Sequence, residues 1–202
     1  GEALGAVIVE TARRYRTPLA FAHMDLMREK AALLSCFPIP ARRIDSYHFA
    51  GCPAEADVAR VRAALAGPLP AALRTHVASV AAAARHADLV PIGMAIRPFS
   101  LTTKLLADPI PPVYLAGTGC TAEDDPEVQT VEVLLDLALQ TVLCSVEAQI
   151  RAGARAIFIA EPAASSVYVS PRQLEAGSDI FERYVIRLNR QVKARLDAAG
   201  VD

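Results

Sequence analysis

Six polar side chains follow short apolar runs of the sequence, where they could bind an anion or transfer a proton. In chain order they are His23, Asp25, Arg97, Lys104, Glu161 and Ser165. A carboxylate can act as a general acid or base. Arginine and lysine bind carboxylates and phosphates, arginine through a bidentate fork and lysine as a point charge. We therefore predict Asp25 and Glu161 as catalytic residues and the other four as substrate-binding residues.

Ordinary structural roles compete with these assignments. Asp25 could cap the helix that follows it, because aspartate readily accepts backbone N–H groups at that position. Glu161 could form an ion pair with Arg97 at the rim of the fold. Ser165, like Ser170, could be a turn or cap residue. Both sets of roles stay open at the level of sequence.

The spacing of His23 and Asp25 predicts that they share one face of a strand, because side chains two residues apart point the same way. A histidine beside a carboxylate could bind a metal or relay a proton, although a rim histidine with one hydrogen bond is the commoner role. His48 and Cys52 have an H-x3-C spacing, but two ligands are too few for zinc. We predict no metal site within this chain.

Three apolar runs are predicted to be buried strands separated by helices. The strands are Leu19–Met24, Leu89–Ile96 and Ala156–Ala160, and residues 44–49 form a weak strand or a loop. Helices are predicted at 2–15, 26–36, 54–66, 70–86, 99–106, 128–152 and 178–199. The last begins with a capping box of Asp179 and Glu182, and 108–112 and 116–125 are predicted turns or loops. Continuously apolar strands alternating with helices indicate a parallel α/β sheet or barrel.

The composition indicates one globular domain over residues 1–202, with 53% hydrophobic residues and a net charge of −1. Nucleic-acid binding is not expected, because it normally needs a basic excess. The apolar helix at 128–152 is not predicted to span a membrane, since it carries Glu132, Asp136, Gln140 and Glu147. Four widely spaced cysteines favour free thiols, and no signal peptide is apparent, so we predict a cytoplasmic protein. No glycine-rich nucleotide loop follows any strand.

Three segments resemble the uroporphyrinogen decarboxylase superfamily, which includes the corrinoid-dependent methylcobalamin:thiol methyltransferases. Phe21–Ser35, FAHMDLMREKAALLS, is similar to the strand-aspartate-helix segment of the decarboxylases. Val90–Leu106, VPIGMAIRPFSLTTKLL, is similar to their G-x-x-G-P-x-T-L strand and turn. Ala152–Leu174, AGARAIFIAEPAASSVYVSPRQL, is similar to the AGA…DPAAS…ISP pattern of the methyltransferase branch. Together they extend over nearly the whole chain in the family's order.

The resemblance implies a (β/α)8 TIM barrel, of which this chain would be an N-terminal part. Such barrels usually have roughly 250 residues or more. The opening strand and the C-terminal half would be missing, and the zinc-binding His-x-Cys of the methyltransferases would lie beyond residue 202. Zinc is therefore expected only in the complete barrel. Unpaired strand edges predict a homo-oligomer or association with the missing half.

Individual residues indicate which of the two enzyme branches the chain resembles more. Asp25 matches the decarboxylase aspartate that hydrogen-bonds pyrrole N–H groups. Lys104 stands where the decarboxylases have a tyrosine, and Pro162 where they have a serine. The segment Glu161–Ser165 is closer to the methyltransferase branch, which we favour.

The function implied is methyl transfer from a corrinoid to a thiol or related acceptor, with a corrinoid protein as a possible partner. The alternative enzyme is a tetrapyrrole decarboxylase, which needs no cofactor; there Asp25 would engage the pyrrole N–H groups while basic residues hold the carboxylates. A further alternative is a non-catalytic half-barrel that acts in binding or assembly.

Overall fold

Three parallel strands form the sheet of this protein, with the longest strand in the middle. The computed structural model describes all 202 residues. The strands are β1 (Leu19–Phe21), β2 (Val90–Ile96) and β3 (Ala156–Ala160), in the order β1-β2-β3. Phe21 pairs with Ile92, and Met94 pairs with Phe158. The predicted α/β class with a parallel sheet is confirmed, and this sheet is open rather than closed into a barrel.

Nine α-helices pack around and beyond the sheet. They are α1 (Glu2–Arg14), α2 (Arg28–Leu34), α3 (Glu55–Leu65), α4 (Ala71–Ala84), α5 (Pro98–Thr103), α6 (Ile110–Gly117), α7 (Pro126–Arg151), α8 (Pro171–Glu175) and α9 (Arg187–Ala198). A 3-10 turn at Ala41–Arg43 lies between α2 and α3. The prediction of turn and loop is wrong for α6, because its prolines occupy the first helical turn, where no backbone N–H is needed.

The predicted helix at 178–199 is interrupted by a π-helical turn, Glu182–Ile186, just before α9. The predicted capping box is wrong. The Ser178 hydroxyl accepts the Ile180 N–H (3.4 Å), while the Asp179 carboxylate faces Arg183 (3.6 Å). A serine one position earlier thus takes the capping role that the D-x-x-E pattern assigns to aspartate.

The long helix α7 is the centre of the core. Its N-terminus is capped by Asp125, whose carboxylate accepts the Glu127 and Val128 N–H groups at 2.7 and 3.1 Å. It packs against β2 and against helices α2 to α6 and α9. By length and composition it could cross a membrane, but most of its apolar stretch is buried inside the protein. That burial is typical of a core helix.

Gln149 of α7 completes the hydrogen bonding of the middle strand. Val90 and Ile92 of β2 make backbone hydrogen bonds on the side of β1. The Val90 N–H donates to the Pro18 carbonyl, and the Ile92 carbonyl accepts the Ala22 N–H. The backbone N–H and carbonyl of Met94 point to the same side, but β1 has already ended there. The Gln149 amide accepts the Met94 N–H (2.8 Å) and donates to the Met94 carbonyl (3.1 Å), so it takes the place of the missing strand residue.

The sheet face away from α7 is apolar and open. Leu19, Phe21 and Phe158 are 39%, 48% and 45% exposed there, and the two phenyl rings meet edge to face across β2 at 6.3 Å. On the outer edge of β3, the Ile157 N–H donates to the Asp202 carbonyl (2.8 Å). The helices therefore cover one face of the sheet and leave the other face available.

We expect Gly93→Ala to destabilise the protein by about 1–3 kcal/mol. A Cβ at Gly93 would collide with Gln149 Oε1, which cannot move without releasing Met94. Gly51→Ala is the matched control, because no atom lies within 4 Å of its added methyl group. Denaturant unfolding of the two variants measures the difference, and equal midpoints would contradict the clamping role of Gln149.

Candidate functional site

Arg97 and Glu161 come together at the carboxyl edge of the sheet. Arg97 follows β2 and begins α5, and Glu161 follows β3. The Arg97 N–H donates to the Ala160 carbonyl at 2.9 Å, which holds the two strand ends side by side. The carboxyl ends of parallel strands are the usual place for binding sites in α/β sheets.

Glu161 both caps a helix and keeps one oxygen free. Its Oε1 accepts the Ser100 N–H at 2.8 Å, an amide of the first turn of α5 that has no partner within the helix. The Ser100 hydroxyl in turn accepts the Ala163 N–H (2.9 Å). Glu161 Oε2 is buried and has no hydrogen-bond partner. Burial raises the pKa of Glu161, and hydrogen bonds with Ser100, then the Asn189 side chain and then the charge of Arg97 only partly oppose it.

Asp25 lies in the turn between β1 and α2. Its Oδ1 accepts the Met27 N–H at 2.9 Å, and its Oδ2 lies 3.9 Å from Arg28 Nη2. The side chain is 43% exposed, so it can still reach a ligand. The strand ends at Phe21, and the prediction that His23 and Asp25 share a strand face is wrong. The chain leaves the sheet after Ala22, whose N–H makes the last hydrogen bond to β2, so both residues lie beyond the strand.

The other predicted residues are dispersed. His23 is exposed, and its carbonyl accepts a hydrogen bond from Arg28 Nη2 (3.3 Å). Lys104 ends α5 and lies about 10 Å along the helix from Arg97 at 1.5 Å per residue. Ser165 is a turn residue whose carbonyl accepts the Tyr168 and Val169 N–H groups. The structure therefore brings together Arg97 and Glu161, but not all six residues.

A buried polar network beneath the Asp25 turn escaped the sequence analysis. Ser145 donates to Glu29 Oε1 (2.9 Å), Gln149 Nε2 lies 3.2 Å from the Ser145 hydroxyl, and His76 Nε2 lies 2.9 Å from Gln149 Oε1. Because that oxygen is an acceptor, the neutral imidazole carries its proton on Nε2. Arg28 Nη1, Glu29 Oε2 and His76 Nδ1 are buried without partners. The sequence feature that could have indicated this network is Gln149, a polar residue within an apolar helix, together with Gly93 in an apolar strand.

Two groups of this network titrate away from their ordinary pKa values. Burial raises the pKa of Glu29 to about 7, although Ser145 and Arg28 oppose the shift. Burial, followed by the Arg28 charge, lowers the pKa of His76 to about 4. At neutral pH the imidazole is therefore uncharged, whereas the carboxyl stays protonated to a higher pH than an exposed glutamate does.

Two cavities of about 500 and 420 Å³ adjoin the loop Phe49–Cys52, and none of the six predicted residues lines either of them. All four cysteines are free. Cys52 is exposed in this loop, and partial desolvation raises the pKa of its thiol. These cavities are therefore separate from the carboxyl edge where Arg97 and Glu161 meet.

The residues present do not fit the zinc that the methyltransferase branch uses. No three His, Cys, Asp or Glu side chains converge anywhere in the structure, whereas a zinc site needs at least three such ligands. His48 and Cys52 are both exposed. We therefore assign no step to zinc in this chain.

No protein-family model matches the sequence, and no curated protein matches it.

We expect Glu29→Gln to change the pH dependence of stability. In the wild type, Glu29 lowers stability as pH rises from 4.5 to 7, because the folded form binds the extra proton. His76 raises stability from pH 4 to 6.5, because the unfolded form binds the extra proton. The two contributions largely cancel, because each amounts to about 3 kcal/mol over its pH range and they have opposite signs.

The variant should leave only the rise that His76 produces, so its stability increases between pH 4 and 6.5. Chemical denaturation at several pH values measures the slopes. Glu175→Gln, at an exposed position, is the control. If the stability of Glu29→Gln and of the wild type changed with pH in the same way, the opposing titrations of Glu29 and His76 would be contradicted.

Proposed function

We propose that this chain forms part of a (β/α)-barrel enzyme of the uroporphyrinogen decarboxylase superfamily and supplies the floor of its substrate pocket. The observation that carries this proposal is the juxtaposition of Arg97 and Glu161 at the carboxyl edge of a parallel sheet. Arginine there can hold a substrate carboxylate, and a carboxyl with a raised pKa can exchange a proton. The order of the three resembling segments supports the same assignment.

The open face of the sheet supports a partial barrel. In a closed barrel this face would be interior and packed against the strands opposite. Leu19, Phe21 and Phe158 are exposed instead, and large apolar patches of this kind mark interaction sites. We propose that a second copy of the chain or a complementary half-barrel covers it.

The reaction we favour is methyl transfer to a thiol or related acceptor, in which the corrinoid supplies the methyl group. Arg97 binds a carboxylate of the acceptor and positions its sulfur. Glu161 Oε2 would accept the thiol proton, and the thiolate sulfur would then bond to the methyl carbon while the cobalt–carbon bond breaks and leaves its electron pair on the corrinoid. Glu161 Oε1 stays on Ser100, which fixes the orientation of the carboxyl group.

Tetrapyrrole decarboxylation is a second candidate because of the geometry of Asp25. One carboxylate oxygen is held by the Met27 N–H, and the side chain is 43% exposed at the start of α2. A carboxylate oriented in this way can accept hydrogen bonds from pyrrole N–H groups. Arg97 and Lys104 would then hold the substrate carboxylates.

Glu161→Gln should lower the rate of methyl transfer from methylcobalamin to a small thiol by about 100-fold, within the range for a lost general base. Its amide oxygen can still accept the Ser100 N–H, so the fold is retained. The wild-type rate should fall at low pH as Glu161 becomes protonated, whereas the variant should lose this dependence. Glu175→Gln is the control, and unchanged activity in Glu161→Gln would exclude the proton-transfer role.

Asp25→Asn distinguishes the two reactions. In a decarboxylase it should reduce turnover of uroporphyrinogen by about 100-fold or more, because the charge that stabilises the reacting pyrrole is lost. In a methyltransferase we expect a loss below about tenfold, since only the turn before α2 is affected. Parallel assays of both reactions on the same preparation give the comparison.

Phe158→Asp should weaken association of the chain at least tenfold by placing a charge on the open face of the sheet. Val167→Asp, which changes a side chain that is 63% exposed and outside the sheet, should have no effect. Sedimentation velocity, with and without a complementary polypeptide, measures the association of each variant. A chain that folds alone as a monomer and turns over substrate would overturn the half-barrel proposal.

A further inference from the structure

The cavity of about 500 Å³ lies where the loop Phe49–Cys52 meets the starts of helices α6 and α7. Phe49 and Leu106 contribute buried apolar side chains to its lining and are 7% and 8% exposed. Three prolines from the first turns of the two helices also line it, namely Pro111, Pro112 and Pro126. A concave, largely apolar space of this volume is typical of sites that hold a small molecule.

The apolar side of this cavity is fixed by contacts on the far side of the loop. The Phe49 N–H donates to the Leu105 carbonyl at 2.8 Å, and Phe49 and Leu106 form an isolated parallel bridge. The Phe49 ring meets Phe37 and Tyr47 edge to face, with the ring centroids 5.1 Å apart in both pairs. A ligand therefore does not have to order the loop when it binds.

The two helix starts that border the cavity have no N–H group left for an anion, although helix N-termini often bind one. In α6, two of the first three residues are prolines, and the Ile110 N–H donates to Asp108 Oδ1 at 3.0 Å. Helix α7 begins with Pro126, and the Asp125 carboxylate accepts the next two N–H groups. The electrostatics of the cavity therefore depend on its side chains.

The charged side chains of the cavity are both acidic. Asp108 and Glu127 line it, and no lysine, arginine or histidine does. Both are exposed, and neither forms an ion pair with any basic residue of the chain. The hydroxyl of Thr130, also in the lining, already donates to the Pro126 carbonyl at 2.7 Å. Two unpaired carboxylates beside an apolar surface complement a cation that carries an apolar group.

We propose that this cavity binds a small organic ammonium ion. Its apolar group packs on Phe49 and Leu106, and its ammonium group is bound by Asp108 and Glu127. The volume of the cavity fits a free small molecule, and its charge selects an amine over a neutral or acidic compound of the same shape. None of the residues predicted to bind or transform a substrate lines this cavity, so the site does not depend on the proposed reaction.

The test compares phenethylamine with phenethyl alcohol, which have similar shapes but differ in charge. Cys52 lines the cavity and is exposed, so its alkylation by iodoacetamide, followed by mass spectrometry of the intact full chain, measures occupancy. Cys120, outside the cavity, is the reference thiol. At about pH 8 an alkyl amine is charged. We expect the amine to slow alkylation of Cys52 at a concentration about fivefold lower than the alcohol requires, as one exposed ion pair allows, and to leave Cys120 unchanged.

Asp108→Asn and Glu127→Gln remove the two charges with little change in shape. The asparagine oxygen can still accept the Ile110 N–H, so the start of α6 is retained. Together the two substitutions should reduce protection by the amine to the level given by the alcohol. Glu123→Gln is the matched control, because it removes an exposed acid of the neighbouring loop that does not line the cavity.

Equal protection of Cys52 by the two compounds would overturn the ammonium site, and so would protection by the amine that survives loss of both acids. Absence of protection by either compound would overturn the cavity as a binding site. Stronger protection by Nα-acetyl-lysine amide than by phenethylamine would assign the cavity to a lysine of a partner protein and overturn the small-molecule ligand.

Discussion

The backbone of Met94 is the constraint on which the rest of the structure depends. Its N–H and C=O face the side of β2 where β1 has already ended, and buried backbone groups must find partners. Gln149 supplies both hydrogen bonds from α7, which fixes that helix against the strand. The approach requires Gly93, since any side chain there would occupy the position of the amide.

The same glutamine connects the polar groups of the interior. Gln149 also bonds His76 of α4 and Ser145, which in turn bonds Glu29 of α2. Three helices are therefore joined to one strand residue through side chains in a low-dielectric interior, where satisfied networks are strong. Arg28, the neighbour of Glu29 on α2, contacts the Asp25 turn, where its Nη2 donates to the His23 carbonyl and lies 3.9 Å from Asp25 Oδ2.

The elements were more predictable from sequence than the site. Apolar runs identified β2 and β3, and periodicity identified α1, α3, α4 and α7, because burial leaves a regular pattern along the chain. Two predictions were wrong for local reasons. The prolines at the start of α6 led to the prediction of a turn, and a serine occupies the capping role expected of an aspartate before α9. Arg97 and Glu161 were found because strand ends are visible in sequence. The network of Glu29 and His76 was not predicted, because a charged residue such as Glu29 on a short helix normally faces solvent.

The wide sequence separation of the paired strands has a consequence for how the chain folds. Leu19 pairs with Val90, and Ile92 pairs with Ala156, so each strand pairing closes a loop of more than about sixty residues. Such distant contacts form late and slowly compared with helical hairpins. We therefore expect the helices to pack before Phe21 and Phe158 come into contact. During synthesis the apolar face is complete only after β3 has left the ribosome, which limits the time in which unfinished chains can aggregate through it.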